Sequence, residues 1–457
     1  MLRDVLRRTG PAWLMYSMIP LLPSAWLGAA EGPRSTKIFP YRAVQEILPN
    51  GLKSIVIPMD SGGLVSYWTI VRTGSRDEVE PGRSGFAHFF EHMMFRGTKK
   101  YPGPVYDGIV TAMGADSNAY TTDDYTAYHL TFSAEDLERV VEIESDRFQN
   151  LSYDPQAFQT EAGAVYGEYQ KSITSPFALL EEKLRDLAFD VHTYKHTTLG
   201  FEADIKAMPE AYEYSLSFFR RFYRPDNVVI LVVGSVDPPS ALGLVRRYYS
   251  GWEKGYVPPQ IVPEPPQNAE RTGEVKYPGR TLPILQISYK GDRFDPGNAE
   301  YVAAVLLADL AFGETSPLYR KLVLEEQKVQ QLESYVPMNR DPPLFDVTAT
   351  VKEVGDVEGV RDAIFRTLEG FQSQPAERER LDQLKRHHKY EFLMGLDTPH
   401  HVAGALARPV ALTGGIECVD RFYEALDGVG PDDVLRAARK YFVPQRRTVV
   451  VLKGSGA

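Results

Sequence analysis

A segment near the middle of the chain recurs near its end. Arg220-Arg221-Phe222-Tyr223-Arg224-Pro225 and the apolar run Val228 to Gly234 are echoed by Arg439-Lys440-Tyr441-Phe442-Val443-Pro444 and Thr448 to Gly454. Pro225 and Pro444 lie 219 residues apart. In each copy a helix that must stop at proline precedes a buried strand rich in valine. An offset of this size means a duplicated domain and not a solenoid. The 457 residues are long enough for two such units. Tyr256 to Gln267 holds Pro258, Pro259, Pro263, Pro265 and Pro266, the composition of a semi-rigid linker. This gives a first domain over 31–254, a linker over 255–270 and a second domain over 271–457.

Only the first copy carries Gly85-Phe86-Ala87-His88-Phe89-Phe90-Glu91-His92-Met93-Met94-Phe95, which reads His-x-x-Glu-His. On a helix, residues three and four apart share a face. His88, Glu91 and His92 are therefore expected to project into one space. Two imidazoles at this spacing can hold one Zn²⁺, and the carboxylate between them can act on a water at the metal. The order is that of the inverzincins. Phe89, Phe90, Met93 and Phe95 interleave with the polar residues, predicting a helix buried on most sides. Ser84 is placed to cap it. Gly97 is placed to stop it, with Arg96 and Lys99 at the negative end of its dipole. So short a motif also arises by chance, and it needs a third ligand.

Around it, Gln45 to Ile57 reads as a hairpin with Asn50-Gly51 at the turn, and Val65 to Val71 as a strand. Thr73 to Glu78 is a polar loop leading into the metal helix. A short helix is expected near Tyr106 to Met113 and a strand over Thr126 to Phe132, with His129 a strand residue whose ring is hydrogen-bonded. Helices are expected over Asp136 to Asn150 and Phe158 to Ser172. The second carries Glu161 and Glu168, two turns apart and on one face. Spacing alone does not choose between them, and a solvated acidic face accounts for both.

The chain resembles the M16 family of zinc peptidases. The resemblance rests on His-x-x-Glu-His, on its flanks Phe86-Ala87 and Met94-Phe95-Arg96-Gly97-Thr98, and on a glutamate 76 residues after His92. It extends through Gly200 to Ile205 and Phe218 to Gly234, and spans about residues 40 to 454. It implies two homologous α+β domains, each a mainly antiparallel sheet backed by helices. It implies one Zn²⁺ per chain, with His88, His92 and Glu168 as ligands and water as the fourth. Glu91 becomes the general base, and Glu161 the carboxylate that orients a ligand or the water. Asn118-Ala119-Tyr120-Thr121 resembles the edge strand to which the family adds its peptide substrate. In one place the sequence departs from the family. After Ser316 to Leu322 the family carries an Arg and then a Tyr that hold the substrate and its oxyanion. Here those positions fall on Val323 or Leu324 and on Gln330 or Gln331, with Arg320 and Tyr335 out of register. The expected enzyme is thus the zinc-bearing half of a heterodimer whose homologous partner supplies Arg and Tyr, or otherwise a homodimer. The alternatives are a non-catalytic scaffold or partner subunit, which needs none of the five site residues, and a zinc-binding but inactive scaffold or binding protein.

Residues 1–30 have the order of an export signal. Arg3, Arg7 and Arg8 precede an uncharged stretch from Pro11 that closes on Gly28-Ala29-Ala30. They predict cleavage before Glu31 and a periplasmic mature chain. A membrane anchor is the other reading of the same stretch. The formal charge of −10 argues against nucleic acid as a partner. Cys418 is the only cysteine, so no internal disulfide is possible, and a buried small apolar role is expected for it. His387-His388 and His400-His401 are read as surface or loop residues.

Overall fold

The computed structural model describes residues 37–455; the expected leader lies outside them. The first sheet contains β1 (Val44–Ile47), β2 (Lys53–Pro58), β3 (Leu64–Val71), β4 (Asp116–Thr121), β5 (Thr126–Ser133) and β6 (Val228–Gly234). Their spatial order is β1-β2-β6-β3-β5-β4. The second contains β7 (Arg271–Tyr277), β8 (Ile284–Lys290), β9 (Val329–Tyr335), β10 (Leu344–Val351) and β11 (Arg447–Gly454), ordered β7-β11-β8-β10-β9. With β1 set aside, the two orders coincide. Each sheet has one parallel pair, β2 with β6 and β7 with β11, and is otherwise antiparallel. The repeated sequence occupies the same place in both, in β6 and β11. The chain is thus two copies of one mainly antiparallel α+β domain.

The hairpin turns at Asn50-Gly51 as expected. Gly51 has φ +89°, and a Cβ there would lie 2.8 Å from that of Asp226, so only glycine fits. The inner strand β6 reads as a continuous apolar run because both its faces are covered. One face of the first sheet, with Val65, Tyr67, Tyr128, Ile230 and Val232, packs on helices of its own domain. These include α1 (Phe86–Met93), α2 (Gly103–Ala112), α3 (Leu137–Asn150) and α4 (Pro155–Ser172). The opposite face, with Ile57, Trp68, Ile70 and Leu231, is covered by Val402, Leu406 and Val410 of the helix Pro399–Thr413, which belongs to the second copy. The arrangement is reciprocal. Helix α5 (Pro176–Ala188) lays Leu180, Leu184 and Ala188 on Ile284, Val450 and Leu452 of the second sheet. Each copy therefore completes the other's core. The helix Ala299–Phe312 is apolar all round because it is buried at the centre of the second copy. Cys418 is buried in the shared layer, as expected.

The packing within and between the copies corrects the reading of two histidine pairs. Both lie on helices. His388 bonds Asp309 at 2.7 Å, and His400 packs between the copies, 5.4 Å from the Trp68 ring and 4.9 Å from that of His129. Only His387 and His401 are exposed, 70% and 56%. His129 is in β5, but its ring stacks on Trp68 at 4.4 Å, and its buried Nδ1 has no hydrogen-bond partner, contrary to expectation.

A charged cluster joins the copies beside the β4–β5 turn. Asp124 accepts from Tyr194 Oη at 2.8 Å and from the Arg340 amide at 3.2 Å. Burial pushes its carboxyl up to about 7, against the pull of Arg340. A carboxyl raised above its unfolded value of about 3.9 binds the extra proton in the folded state. Its contribution is complete below about pH 4 and is lost as pH rises through 7. Each unit of displacement corresponds to about 1.4 kcal/mol. Denaturant unfolding of Asp124→Asn between pH 4 and 7.5 should therefore show a flatter decline in stability than wild type. Parallel profiles would contradict this assignment.

Candidate metal centre

Helix α1 forms because Phe86, Phe89, Phe90 and Met93 fall on its core side. That orientation leaves His88, Glu91 and His92 to face α4 and β4. Ser84 does not cap the helix. The N-cap is Gly85 at φ +92°, and the Ser84 hydroxyl instead donates to Asp204 at 2.6 Å and accepts from the Phe201 amide at 2.8 Å. The Gly85 and Ala87 amides donate to the Glu78 carboxylate, at 2.7 and 2.6 Å. After α1 a 3₁₀ turn, Met94–Arg96, runs to Gly97. A Cβ on Gly97 would lie 2.3 Å from the Tyr101 carbonyl oxygen, so the chain can turn there only at glycine.

Helix α4 starts earlier than its apolar pattern suggests. Asp154 accepts from the Ala157 amide at 2.7 Å and Pro155 takes the first helical position, a start signal legible in the sequence. The helix presents Glu161 and Glu168 to α1. His92 Nε2 lies 3.2 Å and His88 Nε2 3.8 Å from Glu168 Oε2. The two imidazoles are 4.7 Å apart and steeply inclined. These three donor atoms lie within 4.8 Å of one another, and no other such group occurs among the described residues. Around a tetrahedral zinc with bonds near 2.0–2.1 Å, ligand atoms stand about 3.3 Å apart. Two imidazole nitrogens and a carboxylate oxygen at the observed spacings fit that ion.

The two glutamates separate by geometry. Glu161 Oε1 meets His92 Nδ1 at 2.9 Å, on the side of the ring away from Glu168, and its other oxygen accepts from Arg96. Arg96 thus pins the carboxylate that orients His92, a contact the sequence reading assigned only to the helix dipole. Without metal, burial pushes His88 down to about 4, whereas Glu161 and then Glu168 hold His92 up to about 9. Glu91 is excluded from the cluster of three. Its Oε2 accepts from Thr121 Oγ1 at 2.6 Å, and burial pushes its carboxyl upward. The sequence places Thr121 only in the edge-strand stretch and not beside Glu91; the alternation of β4 puts it on the α1 side.

β4 is the outer strand of its sheet. Ala119 is buried, and its amide donates to Asn118 Oδ1 at 2.9 Å. Tyr120 points to the face opposite the metal centre, 3.0 Å from Tyr125 Oη and edge-on to Trp68. Of the second-copy positions, Val323 and Leu324 lie in the π-helical turn Arg320–Glu325, and Gln330 and Gln331 in β9, the outer strand of the second sheet. Arg320 pairs with Glu325 at 3.3 Å, and Tyr335 is 55% exposed.

Residues 55–202 match the model described as Insulinase (Peptidase family M16), and residues 211–387 the one described as Peptidase M16 inactive domain. The chain belongs to the M16 peptidase family. It is 27% identical over 416 residues to the zinc protease PqqE of Helicobacter pylori, covering 89% of this chain and 91% of the relative. A crystal structure of a protease from Helicobacter pylori superposes with a TM-score of 0.85 at 26% identity, covering 90% of this chain and 99% of that one. The first half of the periplasmic protease PqqL from Escherichia coli shares the fold, with a TM-score of 0.74 at 19% identity over 90% of this chain and 92% of that one. The M16 relatives thus include zinc proteases, and the fold of this chain is theirs.

Proposed function

We propose that this chain is a zinc-dependent endopeptidase acting on peptides or unfolded polypeptides, and that it is the metal-bearing subunit of a two-chain enzyme. The observation that carries the reading is the convergence of His88, His92 and Glu168, with Glu91 held beside them by an outer strand. Zinc in that site would act as a Lewis acid and make water a stronger nucleophile at neutral pH. Glu91 accepts a proton from the attacking water and returns it to the leaving amine. Thr121 fixes the Glu91 carboxylate, and Glu161, braced by Arg96, fixes the His92 ring. An extended substrate pairs with the open edge of β4 through Asn118, Ala119 and Tyr120, which favours peptide over folded protein. A scaffold subunit would need none of these side chains, and the convergence of His88, His92 and Glu168 supports the catalytic reading over it.

The missing Arg and Tyr support the two-chain reading. Losing one oxyanion donor costs about 10²–10³ in rate. The lone chain should therefore be slow, and a homologue lacking His-x-x-Glu-His but carrying Arg and Tyr should raise kcat by at least that factor. Full turnover from the lone chain, unchanged by any such homologue, would reject this arrangement and favour a homodimer or monomer.

The basic, apolar and small-residue order of residues 1–30 supports export to a periplasm, where PqqL also resides. N-terminal sequencing of protein made with its own leader should begin near Glu31. An intact Met1 on soluble cytosolic protein would contradict export.

A further inference from the structure

The loop Thr73 to Glu78 leads into α1, and it is not the solvated connection its polarity suggests. Thr73, Ser75, Asp77 and Glu78 are all buried. The loop is fastened on several sides. Arg76 Nε donates to Asp341 of the second copy at 2.6 Å. The Ser75 hydroxyl donates to Asp123 at 3.1 Å, and Asp77 accepts from the Gly74 amide at 3.1 Å. From this fixed base Glu78 reaches the start of the metal helix. Its two oxygens accept separately, Oε2 from the Gly85 amide and Oε1 from the Ala87 amide. Gly85 has no side chain with which to cap the helix, and Ser84 is committed to Asp204 and Phe201. Ala87 immediately precedes His88. A shift of the α1 amides is therefore a shift of His88, Glu91 and His92 against Glu168, which α4 holds independently.

We infer that Glu78 is a positioning residue for the metal centre, fixing the register of α1 against α4 through those two amides, with the second copy anchoring its loop through Asp341 and Arg76. The inference rests on the reading of His88, His92 and Glu168 as the zinc ligands. It gives the metal-free second copy a role in the geometry of the first. A carboxylate at a helix start matches the dipole, although burial pushes the Glu78 carboxyl well above its usual range against the two amide hydrogen bonds; that match would account for stability alone. The positioning role makes a separate demand on zinc affinity.

The test uses the full mature chain and zinc itself. Zinc dissociation constants are measured by competition with a chromogenic chelator, alongside melting temperature. kcat and KM are measured at saturating zinc, in the preparation where wild type turns over. Glu78→Gln leaves only one acceptor oxygen for two amides. It should weaken zinc about 10–100-fold, the usual cost of losing a partner that orients the ligands, and lower kcat with KM unchanged. Glu78→Asp keeps two acceptors on a shorter arm and should recover part of both losses, and it serves as the test should the glutamine variant not fold. Glu144→Gln is the control. Glu144 is a buried carboxylate whose hydrogen bonds come from Tyr106 and Arg147 and not from the α1 amides, so its loss should lower the melting temperature and leave zinc affinity alone. Wild-type zinc affinity and kcat in both Glu78 variants would overturn the inference. So would an equal loss of affinity in Glu144→Gln at equal melting temperature. A wild-type chain that binds no zinc would instead overturn the zinc reading beneath it.

Discussion

Glu91→Gln should bind one zinc per chain with wild-type affinity and hydrolyse peptides about 10²–10⁴ times more slowly, the range assigned to a positioned general base. Glutamine keeps the length of the side chain and an oxygen to accept from Thr121, so the geometry beside the metal should persist. What it removes is the capacity to take and return a proton. Burial already disfavours the Glu91 charge in the folded state. A neutral replacement should therefore leave the melting temperature unchanged or raise it. That combination separates a catalytic loss from unfolding. Near-full activity in Glu91→Gln would show that another group moves the proton.

His88→Ala, His92→Ala and Glu168→Ala should each lose zinc, and activity with it. Each removes one of three converging donors, so the loss should exceed the roughly 10–100-fold that follows when only an orienting partner is removed. Glu161→Gln falls in that smaller class. It leaves three donors but weakens the hold on the His92 ring and leaves Arg96 without its carboxylate partner. Chelator competition across the four variants should therefore give two groups. Glu161→Gln behaving like Glu168→Ala would mean that the two glutamates have been assigned to the wrong roles.

Much of this was legible in the chain. The echo of Arg220 to Gly234 by Arg439 to Gly454 became β6 and β11, each in the second place from the parallel edge of equivalent strand orders once β1 is set aside. Helical spacing placed His88, Glu91 and His92 together because three- and four-residue neighbours on one helix meet whatever surrounds them. The glutamates lay beyond that kind of argument. Glu161 and Glu168 share a face of α4, but which of them meets the far side of His92 depends on how α4 lies against α1. The exchanged helices were hidden for a similar reason. An apolar stripe on Pro399–Thr413 says that the helix is covered, not that it covers the sheet of the other copy, and so His400 was misplaced. Ser84 failed as a cap because a preference for serine at that position says nothing of Asp204, which draws the hydroxyl away.

The central claim is that this chain holds a catalytic zinc. Its most direct measurement is hydrolysis of a fluorogenic peptide by the mature chain, stripped with chelator and titrated with zinc in the presence of its complementing homologue. The account predicts no activity in the stripped protein, recovery that saturates at one zinc per chain, and no recovery in Glu91→Gln carrying the same zinc. Activity that survives chelation, or equal recovery in wild type and Glu91→Gln, would contradict it.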